Sequence, residues 1–322
     1  MRILITGAGG FVGQSLAAKL LNDEQGKYTV VLTDIFAPPV PPGVKWSDKA
    51  TSIKADLLTD SASVIDKDLD AVYVFHGIMS SGSESDFELG MRVNLDATRA
   101  FFDTLRVKAP GVKVIYTSSQ AVYGGKVEGP ITEKLHPTPE SSYGAEKTIC
   151  EYLLNDYTRR GFLDGWIVRL PTISVRAGKP TAAASSFLSG MIREPMQGIP
   201  CVLPLRDRGF THCLSSPSNL LKNLIHVLSL PDSALPKYDR AINLPGIRVT
   251  VQDMLDSLAR VGGEDKLKLI SEEDDEACKA ILYTWLFNYD YSRALDLGFT
   301  RDNSFDDIVK EFKQQLEAQA KA

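Results

Sequence analysis

Six short runs of β-branched and apolar residues recur through the first half of the chain: Arg2–Thr6, Tyr28–Asp34, Thr51–Ala55, Ala71–Phe75, Val112–Ser118 and Trp166–Leu170. Each is apolar almost without interruption rather than alternating, the pattern of strands buried on both faces. Helical spacing fills the gaps at Phe11–Asn22, at Ser142–Arg160 and at Phe87–Lys108, where Leu89, Val93, Ala97 and Phe101 make one stripe. Strand, helix, strand in this order predicts an α/β fold built on a doubly wound parallel sheet. The proline-rich Ala37–Gly43 segment reads as a surface loop.

Beyond Pro171 the pattern loosens. Short strands are expected at Ala241–Leu244 and Leu267–Ile270, with helices at Pro217–Leu230, Val251–Val261 and Phe305–Ala318. Phe305, Ile308, Val309, Phe312 and Leu316 share one face of the last. The expected division is a sheet domain over 1–171 and a smaller α/β substrate lobe over 172–322, with some segments of the second half returning to the first.

Composition narrows the partners. The 322 residues carry 36 basic and 41 acidic side chains, a net charge of −5, which offers nucleic acid or an anionic membrane little bulk attraction. No apolar run reaches the length of a membrane span. Arg2–Thr6 runs straight into a glycine turn, unlike a signal peptide, so a cytoplasmic protein is expected. Cys150, Cys201, Cys213 and Cys278 lack any paired spacing, and His76, His136, His212 and His226 show no ligand spacing, so neither disulfides nor a metal is expected. The charged runs 60–70 and 272–276 read as solvated faces.

Chemistry begins at Gly7-Ala8-Gly9-Gly10-Phe11-Val12-Gly13, between the first strand and first helix. Gly7, Gly10 and Gly13 permit a tight turn and close backbone approach to a diphosphate, which rests on the amides of Phe11, Val12 and the helix start. Asp34 follows 21 residues later at the end of strand two, placed to accept from a ribose 2′-hydroxyl and to repel a 2′-phosphate. Ile35-Phe36-Ala37 supplies no cation for NADP, so NAD is the expected cofactor of a Rossmann-type domain. Asp56 and Leu57, after strand three, either contact adenine or merely turn the chain. Tyr143 and Lys147 stand four apart on one helix face, and Thr117-Ser118-Ser119 ends a buried strand. An ammonium beside a tyrosine stabilises phenolate and lets it act as a base, while a serine orients an alcohol or carbonyl.

In combination these motifs resemble the extended short-chain dehydrogenase/reductase superfamily, in its NAD-dependent epimerase/dehydratase group, over nearly the whole chain. The resemblance implies Ser119, Tyr143 and Lys147 as catalytic residues. It also implies Asn94 as a support, with His76 and Pro171 beside the cofactor. Stretches 86–99, 141–165, 169–195 and 243–254 are similar to a branch that oxidises the 2-hydroxyl of small sugar acids of the D-erythronate kind. His76-Gly77-Ile78-Met79 departs from that branch, being one residue shorter than its His-x-Ala-Ala loop. The family's habit also implies a homodimer through a four-helix contact of the Phe87–Lys108 and Ser142–Arg160 helices, whose apolar faces are otherwise covered within one chain.

The same triad serves several reactions. Gln120-Ala121 after the catalytic serine cannot move protons as a dehydratase requires. Arg169-Leu170-Pro171-Thr172 lacks the asparagine usual near a nucleotide sugar. An NAD-dependent oxidation of a small polyhydroxy acid is therefore expected. A nucleotide-sugar epimerase and a non-catalytic NAD-binding regulatory protein stand as alternatives. Substrate contacts are expected from Ser81, Ser119, Gln120, Tyr143, Thr172, Arg176 and Ser185, under a lid over 179–193. A carboxylate needs a cation or clustered donors, for which Arg176, Lys179, Arg193, Arg208, His212 and the serines at 80–83 compete.

Overall fold

The computed structural model describes residues 1–178 and 184–320. Its centre is a seven-stranded parallel sheet of β1 (Arg2–Thr6), β2 (Thr29–Asp34), β3 (Ala50–Lys54), β4 (Ala71–Val74), β5 (Lys113–Ser119), β6 (Asp164–Leu170) and a late strand, β10 (Ala241–Asn243). The spatial order is β10-β6-β5-β4-β1-β2-β3. The order turns round at β1 and β4, and the crevice beyond the carboxyl ends of these strands is where such sheets bind ligands.

The unbroken apolar runs have the cause expected of them except at the edge strand β3, where Thr51, Ser52 and Lys54 are exposed rather than buried. Ile3 and Ile5 point into a core with the first helix, α1 (Phe11–Leu21), whereas Leu4 points to the opposite face. That second face is covered by α4 (Ala97–Lys108) and α5 (Ser142–Arg159) through Phe101, Phe102, Leu105, Cys150 and Leu154. The outer sides of this layer leave Phe87, Leu89, Ile149 and Tyr152 exposed.

The expected helix over 87–108 is divided. After a short α2 (Ser80–Ser85), α3 (Phe87–Gly90) starts on the Asp86 carboxylate, which accepts from Leu89 N. Met91–Asp96 then forms a wider π-turn before α4. Such a turn inserts an extra residue and re-aims the side chains within it; here it carries Asn94.

In the second half, β7 (Thr172–Ile173), β9 (Thr211–Ser215) and β11 (Ile247–Thr250) make a small sheet ordered β11-β9-β7. Another pairs β8 (Cys201–Leu203) with β12 (Ile270–Glu272). The strand expected at 267–270 starts late, because Glu264–Leu269 coils into a 3₁₀ segment after Gly263, which has φ +114°. Helices α6 (Ser186–Met196), α7 (Pro217–Val227), α8 (Val251–Gly262), α9 (Glu276–Leu282), α10 (Ser292–Asp296) and α11 (Phe305–Gln319) complete the chain. Met191, Leu258, Leu282, Val309 and Phe312 meet in a core of this half alone. Among the described residues no helix is long and apolar enough to cross a membrane, and no three His, Cys, Asp or Glu gather as a metal site.

Candidate active site

A cavity of about 950 Å³ runs along the carboxyl edge of the sheet from Gly7 and Asp34 to Arg176 and Trp285. Its first end is shaped by glycine. Gly7 has φ +59°, and a Cβ there would stand 2.6 Å from His76 N; one on Gly13 would stand 2.6 Å from Gly7 O. The α1 amides carry no side-chain cap and its first turn holds no acid, leaving donors for an anion. Asp34 is held by Gly9 N at 2.9 Å and Ile35 N at 2.8 Å, with lone pairs left for two ribose hydroxyls. These residues fit NAD. Replacing Asp34 with Ser is expected to cut the NAD over NADP preference about 10- to 100-fold, the worth of a hydrogen bond to a charged group. Comparing kcat/KM with the two cofactors measures it; a parent enzyme that favours NADP contradicts the assignment.

Gly10, Phe11, Val12, His76 and Pro171 also line the cavity. Asp56 and Leu57 do not. The Asp56 carboxylate accepts from Leu58 N at 3.0 Å in a turn, and Leu57 is buried in the second core.

Ser119, Tyr143 and Lys147, the residues expected to be catalytic, meet along this cavity. Ser119 ends β5, while Ser141 caps α5 so that Tyr143 and Lys147 fall one turn apart on its inner face. Gly144 permits this contact: a Cβ there would lie 2.2 Å from Ala121 O. Burial pushes the Tyr143 phenol up to about 12, opposed by its hydrogen bond with Ser119. Burial pulls Lys147 down to about 8. The expected lowering of the phenol by the ammonium is thus not seen in the protein alone. Lys147 instead donates to Thr117 O at 2.9 Å and sits 4.8 Å from the Tyr116 ring centre and 5.6 Å from that of Tyr143.

Asn94 lies behind the cavity wall, not in it. Its Oδ1 accepts from Ile78 N at 2.7 Å and its Nδ2 donates to Ile78 O at 3.0 Å, pinning the short loop after β4 from both sides. Nδ2 also reaches Glu146 Oε2 at 2.6 Å, a buried carboxylate on α5. His76 bridges Thr6 and Thr98 at 2.8 and 3.0 Å, and burial holds it neutral, with its pKa lowered to about 3.

At the far end stand Gln120, Thr172, Arg176 and Ser185, together with Ser80 in place of the expected Ser81. The rivals for a carboxylate separate cleanly. Arg193 is spent on Glu194 and on Arg176 O, and Arg208 is tied to Glu272 on the surface. His212 is uncharged because burial lowers its pKa to about 4. Lys179, with the first part of the expected lid, lies outside the described residues. Arg176 keeps Nε and Nη2 buried and, among the described residues, without partners. Sequence patterns missed one wall: Ile281, Thr284, Trp285 and Tyr289, on and after α9, close this end of the cavity.

A glycine-turned dinucleotide cradle joined to a Ser–Tyr–Lys cluster defines an NAD-dependent oxidoreductase of the extended short-chain dehydrogenase/reductase class. The chain belongs to the NAD dependent epimerase/dehydratase family, whose model matches residues 3–209. It is 39% identical to the D-erythronate dehydrogenase of Haemophilus influenzae, over 97% of this chain and 98% of that protein. The D-erythronate dehydrogenase of Cupriavidus necator is also 39% identical, over 98% of each chain. Among solved structures, a nucleoside-diphosphate-sugar epimerase from Agrobacterium tumefaciens superposes with a TM-score of 0.88 at 37% identity, covering 96% of this chain and 92% of the other.

Proposed function

We propose that this protein oxidises the 2-hydroxyl of a small polyhydroxy acid with NAD, D-erythronate being the leading candidate. The observation that carries this reading is the electrostatics of the substrate end. Among the described residues, Lys147 and Arg176 are the only lysine or arginine lining the cavity, and Glu84 and Glu140 line it too. One free guanidinium suits one carboxylate, while the diphosphate of a nucleotide sugar would meet too little positive charge. The two D-erythronate dehydrogenases similar over nearly the whole chain support the same choice.

In this reading Arg176 grips the carboxylate and sets which carbon faces the cofactor. Ser119 holds the 2-hydroxyl and Tyr143 takes its proton, with the Lys147 charge stabilising the phenolate. Gly10, Phe11 and Val12 cradle the cofactor diphosphate, and Asp34 and Lys147 hold the two riboses. NAD, when bound, supplies the hydride acceptor. Alignment of the reacting atoms contributes much of the rate, so Pro171 and the wall after α9 serve by excluding water and holding a compact acid still.

Arg176→Leu tests the reading. It is expected to raise KM for the acid and lower kcat/KM about 10- to 100-fold, as for one charge-assisted contact, with NAD affinity retained. An unchanged KM contradicts the carboxylate assignment. The Agrobacterium relative's name favours a second reading, epimerisation. A dehydrogenase accumulates NADH in step with product, whereas an epimerase shows none in steady state. Absorbance during incubation with sugar acids, and separately with nucleotide sugars, decides between them; NAD binding without turnover of either points to a regulatory protein.

A further inference from the structure

Glu146 stands between Tyr143 and Lys147 on α5, yet it does not line the cavity, and neither the cofactor cradle nor the proton transfer uses it. It is 1% exposed. Among the described residues it makes no ion pair, and its Oε1 has no hydrogen-bond partner. A carboxylate buried on these terms costs stability that an apolar side chain of similar volume would not. The fold nonetheless makes room for it. Ser83 of α2 donates to Oε2 at 3.2 Å, and a Cβ on Gly90, at the end of α3, would stand 2.6 Å from Oε1. The contact that explains this arrangement comes from Asn94, whose Nδ2 donates to Oε2 at 2.6 Å, as short as a charge-assisted bond. A carboxylate only accepts, so it fixes which way round the Asn94 amide lies. Oδ1 is then left facing Ile78 N at 2.7 Å, while Nδ2 also holds Ile78 O at 3.0 Å. The loop held in this way touches both halves of the site. Its His76 N would lie 2.6 Å from a Cβ on Gly7 of the cofactor cradle, and a Cβ on its Gly77 would lie 3.9 Å from Lys147 Nζ. Gly77, Ile78, Met79 and Ser80 all line the cavity.

We propose that Glu146 is a positioning residue for the oxidation: acting through Asn94, it locks the loop after β4 in register with Tyr143 and Lys147 on its own helix. For its kinetic test this rests on the sugar-acid reading. Glu146 lies within the same turn of α5 as Tyr143 and Lys147, so the helix that places these two side chains also places the loop that faces them. An apolar residue at 146 would leave the Asn94 amide free to turn over and the loop free to shift. A shift of about 1 Å is enough to cost up to ~10²-fold in rate. The acceptor thus offsets its own burial cost by what it does for alignment. Glutamine at 146 keeps an acceptor but can also present its amide hydrogens, so it fixes Asn94 less firmly than a carboxylate does.

The test compares the parent with Glu146→Met, Glu146→Gln, Asn94→Ala and the double variant Glu146→Met with Asn94→Ala. With D-erythronate and NAD, Glu146→Met is expected to lower kcat about tenfold or more. Its KM for NAD should stay near the parental value and its melting temperature should be no lower, since a buried carboxylate has been replaced by an apolar chain. Glu146→Gln should recover part of the lost kcat. Because both residues serve one link, the double variant should be little slower than the slower of the two single variants. Hydrogen exchange at the Ile78 amide gives a readout that needs no turnover: it should quicken in Glu146→Met and return towards the parental rate in Glu146→Gln. A parental kcat in Glu146→Met, losses that add in the double variant, or unchanged exchange at Ile78 each overturn the inference and leave the dehydrogenase reading intact. A parent enzyme that oxidises no sugar acid overturns the sugar-acid reading instead, and the exchange rates then decide the role of Glu146 by themselves.

Discussion

Tyr143→Phe is expected to lower NAD-linked turnover by about 10²–10⁴-fold, the range of general acid–base catalysis, while NAD binds with nearly parental affinity. The ring still fills its place beside Lys147, and only the hydroxyl proposed, as phenolate, to take the substrate proton is gone. Ser119 offers no replacement base. It is a neutral hydroxyl accepting from Ala121 N, and Lys147 is engaged with Thr117 O. Steady-state NADH formation, paired with calorimetric titration of NAD, separates catalysis from binding. Turnover within tenfold of the parent removes Tyr143 from the role of base.

The second large effect concerns stability. Arg169 and Glu151 form an ion pair whose side chains are 4% and 3% exposed, directly beneath the end of β5. Arg169 Nε donates to Glu151 Oε1 at 2.9 Å, Ser118 donates to the same carboxylate, and the guanidinium also reaches the Tyr123 hydroxyl. Arg169→Met strands a buried carboxylate, at a cost of about 3–5 kcal/mol and ~10 °C in melting temperature. Converting both partners, Arg169→Met with Glu151→Leu, should recover much of that loss, since two apolar side chains leave no charge unpaired. Thermal unfolding of the two variants measures it. A single variant as stable as the parent would mean that water or another cation compensates Glu151.

The two features that drive these effects were not equally readable from sequence. Tyr143 and Lys147 carry their own spacing signal, and the glycine turn and Asp34 sit at the ends of strands marked by unbroken apolar runs. Local rules suffice there, because buried parallel strands tolerate little besides Val, Ile and Leu. Arg169 read only as the place of a missing asparagine, since its partner lies 18 residues earlier on another element. Of the short second-half strands, β7, β8, β9 and β11 gave no pattern: β7 has two residues and is held by β9. Trp285 and His212 are 73 residues apart, and tertiary packing alone joins them. The break in the helix over 87–108 was also hidden, because Gly90 and Asn94 earn their places through contact with Glu146, not through helix propensity.

The late arrival of β10 bears on how the chain can be made. Its partner β6 ends at Leu170, and β10 begins at Ala241. Until Ala241–Asn243 are added, the backbone of Ile167–Arg169 forms an open, apolar sheet edge. Trp166 also lacks Arg240, whose buried guanidinium lies 4.6 Å from its ring centre. At about 5–20 residues per second of synthesis, the 71 residues from 170 to 241 leave that edge uncovered on the ribosome for roughly 4–14 s. An exposed strand of this composition templates pairing with other chains. Chaperone demand and aggregation on overexpression should therefore concentrate in nascent chains stalled between these two points, and a fragment ending near residue 171 should be far less soluble than the whole.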